Sequence, residues 1–186
     1  MEAFLVSAGL VAIAEIGDKT QLLALCLAAR WRAPGPILLG ILVATIANHA
    51  LAALVGSLAG GLLEGPWMKW VLGLAFLAFA AWALIPDKLE DDDCPPERTG
   101  RSIFMATAIA FFLVEMGDKT QVATVALAAR FHSVIVVAAG TTLGMMIANA
   151  PAVLIGEAAS TRLPLKAIRY VAAGAFALIG LWILLT

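Results

Sequence analysis

Residues 15–21 read Glu15-Ile16-Gly17-Asp18-Lys19-Thr20-Gln21, and the string returns as Glu115-Met116-Gly117-Asp118-Lys119-Thr120-Gln121. Each copy sits in the middle of an apolar segment. A charged side chain at the centre of a membrane helix costs about 2.5–3.5 kcal/mol on insertion scales. Two acids and a lysine at one depth, written twice in nearly the same letters, therefore point to a task rather than an accident. The stretch also decides the fold. A segment this apolar can span a bilayer, and its polar centre must then face the protein interior.

Composition agrees. The chain has 186 residues, 62% hydrophobic and 13% charged, with a mean hydropathy of +0.98. Soluble domains average about 45–50% apolar and about 25% charged residues. The net charge of −1 offers no basic surface for nucleic acid, and a single tyrosine offers no stacking platform. The two cysteines, Cys26 in an apolar run and Cys94 in a polar one, have no spacing that suggests zinc or a disulfide framework. Met1-Glu2 lacks a basic leader, and Glu15 interrupts the first apolar run before any cleavage site, so the first helix is expected to be retained.

Six apolar stretches, 3–29, 35–62, 67–86, 102–129, 134–159 and 166–186, each approach or exceed the roughly 20 residues that span a bilayer. Proline- and glycine-containing breaks such as Ala33-Pro34-Gly35-Pro36 and Glu64-Gly65-Pro66 separate them. Trp31, Trp67, Trp70, Tyr170 and Trp182 fall near segment ends, where interfacial aromatics belong. The long polar segment is 87–101, with Glu90-Asp91-Asp92-Asp93 at its heart, and it reads as a solvated acidic linker.

Glu15 matches Glu115, Arg30 matches Arg130, Gly40 matches Gly140, Phe76 matches Phe176 and Trp82 matches Trp182, always 100 residues apart. About a quarter to a third of matched positions are identical, which indicates internal duplication. Three spans per half is an odd number, so the second copy enters the membrane upside down. The expected fold is an all-α integral membrane protein of six transmembrane helices in two inverted-topology repeats: 1–86, the linker 87–101, and 102–186. One side of the membrane receives eight Lys and Arg residues, and the other receives Lys69 and Arg130. The positive-inside bias makes the first side cytoplasmic. Both termini are then outside and the linker is cytoplasmic.

Glu15 and Asp18 are three residues apart, as are Glu115 and Asp118, so on a continuous helix each pair shares a face. Inverted symmetry would bring the four acids together near the midplane. Hard divalent cations take several oxygen ligands, and Gln21 and Gln121 add neutral oxygens. Neither motif contains His or Cys, which argues against zinc or copper. Gly17 and Gly117 serve either close helix packing, the slightly favoured reading, or a helix break. Lys19 and Lys119 serve as charge partners of the acids or compete with a bound cation. Thr20, Thr120, Asn48, His49 and Asn149 are candidates to support the ligands. Carboxylates crowded in low dielectric bind protons more strongly and in a coupled way. Such a cluster holds either a cation or protons, which is the basis of antiport.

Two copies of Glu-x-Gly-Asp-Lys-Thr in a six-span chain resemble the family of small membrane proteins that includes Golgi calcium/manganese transporters and bacterial manganese exporters. Residues 15–20 and 115–120 match its signature without departure. The resemblance implies cation/proton antiport, with the motif carboxylates as the ion site and Mn²⁺ or Ca²⁺ as substrate. It implies no catalytic activity and no bound cofactor. Compact bacterial members look most like manganese exporters of the inner membrane. A cation channel, an exporter of small amino acids or cationic solutes, and a non-transport membrane scaffold are the alternatives. A channel needs a continuous polar pore, whereas these polar residues lie at one depth.

Overall fold

The structure is a computed structural model that describes residues 1–62, 65, 67–86, 101–155 and 165–185. These form eight helices and no strand: α1 (Glu2–Glu15), α2 (Lys19–Trp31), α3 (Pro34–Leu62), α4 (Met68–Ala83), α5 (Arg101–Glu115), α6 (Lys119–Phe131), α7 (Val134–Ile155) and α8 (Leu165–Leu185). α3 and α7 are long and apolar enough to cross a membrane. Apart from Arg101, which begins α5, the acidic linker lies outside the described residues.

The first and fourth apolar stretches are each two half-helices rather than one helix. The chain breaks after Glu15 and after Glu115 and restarts at Lys19 and Lys119. Gly17 and Gly117 take φ of 83° and 80°, the left-handed region that glycine enters without steric cost. Asp18 and Asp118 follow in extended conformation as the N-terminal caps of α2 and α6. Two readings are corrected here. Gly17 and Gly117 break the helix rather than pack it, and no atom lies within 4 Å of a Cβ built on Gly117. Glu15 and Asp18, like Glu115 and Asp118, do not share one helical face, because the break falls between them.

The two halves interlock. α1 packs on α7, and its match α5 packs on α3. α2 likewise meets α7 and α6 meets α3, while α3 crosses α7 and α4 lies along α8. Matched glycines allow the close crossings. A Cβ on Gly40 would lie 2.6 Å from Thr107 Cβ, and one on Gly140 would lie 2.9 Å from Ser7 Cβ. The apolar interior forms two clusters. One joins α4, α6 and α8 around Phe76, Phe79 and Phe176, whose rings meet edge-on or tilted at 5.8–6.3 Å. The other joins α2, α3, α5 and α7 around Leu23, Ile41 and Phe111.

Trp67, Trp70 and Tyr170 are exposed, as interfacial aromatics should be, but Trp31 is buried in the second cluster. Arg130 closes α6 with its guanidinium 5.7 Å from the Trp182 ring. Cys26 is disulfide-bonded, although the spacing of the cysteines suggests no disulfide framework.

A Cβ on Gly56 would strike the backbone of Val125 where α3 crosses α6, whereas Gly61 on the same helix has open space. Gly56→Ala is therefore expected to destabilise the protein by about 1–3 kcal/mol, as overpacking does. Gly61→Ala should be neutral or stabilise slightly, because alanine favours the helix. Thermal unfolding of the two variants in the same detergent checks this difference.

Candidate functional site

The site is built where the two helix breaks meet. A broken helix frees backbone groups that a hydrocarbon surrounding cannot satisfy, and the motif supplies the missing partners. Gln21 is the third residue of α2, and its Oε1 accepts a 2.7 Å hydrogen bond from the Gly17 N–H. Gln121 does the same for the Gly117 N–H at 2.7 Å. The Asp18 and Asp118 N–H groups donate to the Glu15 and Glu115 carbonyls at 3.1 Å. Asp-x-x-Gln is thus a variant of the capping box, in which a side chain three residues into the helix reaches back to the chain ahead of it. The glutamine oxygens expected among the ion ligands are engaged by backbone.

The free ends of the glutamines cross to the other half. Gln21 Nε2 donates to the Ala148 carbonyl at 3.0 Å. Gln121 Nε2 reaches Asn48 Oδ1 at 3.5 Å, and Asn48 Nδ2 donates to the Phe112 carbonyl at 3.0 Å. Positions 48 and 148 are themselves matched at the spacing of 100, so both breaks are tied down at the same place.

The glutamates are held crosswise too. Asn149 Nδ2 donates to Glu15 Oε1 at 3.4 Å, and His49 Nε2 lies 3.4 Å from Glu115 Oε1. The matched residues His49 and Asn149 thus hold the acid of the opposite half. Lys119 Nζ donates to Asp18 Oδ1 at 3.1 Å, a third crosswise contact in which both side chains are buried. The Asp118 carboxyl meets that of Asp18, and Glu115, Asp18 and Asp118 are all charged neighbours of Glu15.

The structure therefore brings together Glu15, Asp18, Glu115, Asp118 and Lys119, and Lys19 is half-buried. Glu15, Asp18, Glu115 and Lys119 are buried, and Asp118 is partly so.

Several oxygens in this space lack a hydrogen-bond donor: Glu15 Oε2, Glu115 Oε2, Thr20 Oγ1 and Asn149 Oδ1. Buried polar atoms are normally paired. Carboxyl oxygens without donors, beside amide and hydroxyl oxygens, form a donor set suited to a hard cation. Thr120 differs from its counterpart, since its Oγ1 donates to Glu115 Oε1 at 2.5 Å. Among the described residues no three His, Cys, Asp or Glu side chains are already drawn together at metal-binding distances. Lys119 holds Asp18 in this arrangement. Three contributors lay outside the motif reading: the carbonyls of Ala148 and Phe112, and Met145, whose Sδ and carbonyl accept from Asn149 at 3.0 and 3.1 Å. Asn48 was a candidate in the sequence, whereas nothing there singled out position 148.

The chain matches the family described as "Divalent cation/proton antiporter GDT1" over residues 3–91 and 103–186. It is 49% identical over 182 residues to a Vibrio cholerae protein named "Putative manganese exporter", covering 97% of this chain and 90% of that one. It is 27% identical to "GDT1-like protein 5" of Arabidopsis thaliana, covering 100% of this chain and 96% of the relative. "GDT1-like protein 4" of rice is 26% identical over 87% of this chain. No solved structure matches.

The break at residue 117 needs a positive φ and nothing else, because its surroundings are open. Gly117→Asn, which tolerates the left-handed region, should retain function. Gly117→Val should straighten or strain the break by about 1–3 kcal/mol and abolish cation binding. Calorimetric titration of both variants with Mn²⁺ checks the contrast.

Proposed function

The chain belongs to the divalent cation/proton antiporter GDT1 family, and from that membership we propose that it exports Mn²⁺ from the cytoplasm in exchange for protons. The observation that carries this reading is the pair of buried glutamates, each lying where a helix breaks and each with one oxygen lacking a donor. The relative named as a manganese exporter supports Mn²⁺ as substrate, with Ca²⁺ as the alternative cation. No bound cofactor is part of this reading.

In this proposal the four carboxylates of Glu15, Asp18, Glu115 and Asp118 hold the cation. Thr20 and Asn149 supply neutral oxygens, and Gln21 and Gln121 keep the breaks in shape. A cytoplasmic Mn²⁺ displaces Lys119 from Asp18 and takes the oxygens that lack donors. The ion lies at membrane depth between the C-terminal end of one half-helix and the N-terminal end of the next, where exposed backbone can also contribute. Protons arriving from outside neutralise the same carboxylates and release the ion, because oxygens that carry protons no longer bind a cation well. Lys119 returns to Asp18 once the ion has left, so the emptied site is not left as uncompensated negative charge.

The proposed setting is the inner membrane, with six spans in two inverted halves. Each motif region would cross as two half-helices, since α1 with α2, and α5 with α6, together cover the length of a span. Both termini would then lie outside. Alternating access follows if the halves move against each other around the shared site.

In liposomes, the purified protein is expected to move Mn²⁺ against its gradient when an opposing proton gradient is imposed. Glu115→Gln and Glu15→Gln should each reduce this flux to background. Apparent Mn²⁺ affinity should fall as the pH on the binding side falls, since protons and the cation compete for the same oxygens. Flux that ignores the proton gradient would indicate a channel or uniporter. Running Ca²⁺ beside Mn²⁺ in the same vesicles tests the choice of cation.

A further inference from the structure

The packing of α4 and α8 departs from the exchange of halves. α4 and α8 form a pair that leans on α1 through α8 and on α6 through α4. Exchange of the halves would require matching contacts of α4 with α5 and of α8 with α2. No comparable packing joins those helices among the described residues. The apolar clusters follow the same division, since α4 and α8 belong to the first and α2 and α5 to the second.

This lean has a consequence at the motifs. A pocket beside the first break is lined by Gly17, Asp18 and Lys119 together with Ala83 of α4 and Arg169 and Phe176 of α8. The pair therefore covers the first break, and Asp18 is only 2% exposed. The second break has no such cover: Met116 is 57% exposed and Gly117 is exposed as well. Arg169 thus lines the pocket that holds the Asp18–Lys119 ion pair, as well as a neighbouring one with Leu84, Pro86 and Tyr170. Its match in the first half is Lys69, which lines a different pocket with Arg130 and His132.

We propose that the α4–α8 pair is a cover that closes over one motif at a time, and that Arg169 makes its seating depend on the charge at Asp18. The second part rests on the reading of the motif acids as a cation site. An ion-free Asp18 is anionic and attracts Arg169 as well as Lys119, so the cover sits well. A divalent cation at Asp18 places like charge against Arg169, and the cover is pushed off. In the opposite state α4 lies on α5, α8 lies on α2, and Lys69 faces Asp118. The cover then reports which motif is empty and ties its own movement to ion occupancy. Arg169 acts through Asp18 and is a positioning residue.

Hydrogen exchange on the unmodified protein in nanodiscs tests the cover directly. Amides of residues 16–18 should be protected and those of 116–118 labile without Mn²⁺, with the contrast shrinking severalfold or reversing at saturating Mn²⁺. A pattern indifferent to Mn²⁺ overturns the proposal. In a second experiment, cysteines replace Ala14 and Ala172, which line the covered pocket, in a Cys26→Ser/Cys94→Ser background that exchanges Mn²⁺ for protons. Cross-linking them should stop exchange reversibly, and Mn²⁺ should slow cross-linking severalfold. Arg169→Gln should remove that Mn²⁺ effect, and Arg169→Lys should keep it. Full exchange by the cross-linked protein overturns the cover. Absence of exchange in the wild-type protein overturns the cation reading and the role of Arg169 with it.

Discussion

A helix that breaks at membrane depth must satisfy its own backbone, and this constraint shapes the whole molecule. Glycine at 17 and 117 makes the break conformationally cheap, but it leaves an N–H and several carbonyls without helical partners. The motif answers within seven residues: Asp18 caps the new helix, and Gln21 closes over the Gly17 N–H at 2.7 Å. The other end of each glutamine is then free to reach α7 or α3 of the opposite half. The residues that stabilise the break are thus also those that join the halves.

That linkage explains why the motif occurs twice. Asn149 of the second half holds Glu15 of the first, His49 of the first holds Glu115 of the second, and Lys119 crosses to Asp18. A single half would bury an acid without its partner, and an uncompensated buried charge is strongly destabilising. The close crossings at Gly40 and Gly140 bring the partners within reach, because a side chain there would hold the helices apart. The site geometry therefore makes the pair of halves the structural unit.

Much of this was legible in the letters. The doubled motif marked the site, and the constant spacing of 100 matched Gly40 with Gly140 and His49 with Asn149 before any contact was known. The form of the break was not legible. Glycine serves packing and breaking alike, and a spacing of three between Glu15 and Asp18 assumes a continuous helix. Asp-x-x-Gln held the missing signal, because a cap residue followed by glutamine three places on marks a helix start. Hidden among apolar residues it looked like a pair of ligands. The carbonyls of Ala148 and Phe112 could not be named from sequence at all, since every residue carries one. The lean of α4 and α8 was out of reach for a different reason: a regular repeat predicts regular packing, and this packing departs from it.

The asymmetry is nonetheless what the proposed exchange across a membrane requires. If both motifs were covered alike or open alike, nothing would distinguish one face of the membrane from the other. Here near-identical strings stand in different circumstances. Thr120 donates to Glu115 while Thr20 Oγ1 lacks a partner, and Lys119 is buried while Lys19 is half-buried. The two motifs are nearly identical in sequence, so in the proposed exchange the contacts that one motif loses have counterparts of similar chemistry at the other. The residues that differ between halves, such as His49 against Asn149 and Lys69 against Arg169, are then the ones that set which arrangement is preferred. In the proposed exchange, duplication supplies the two states and divergence between the halves sets the balance between them.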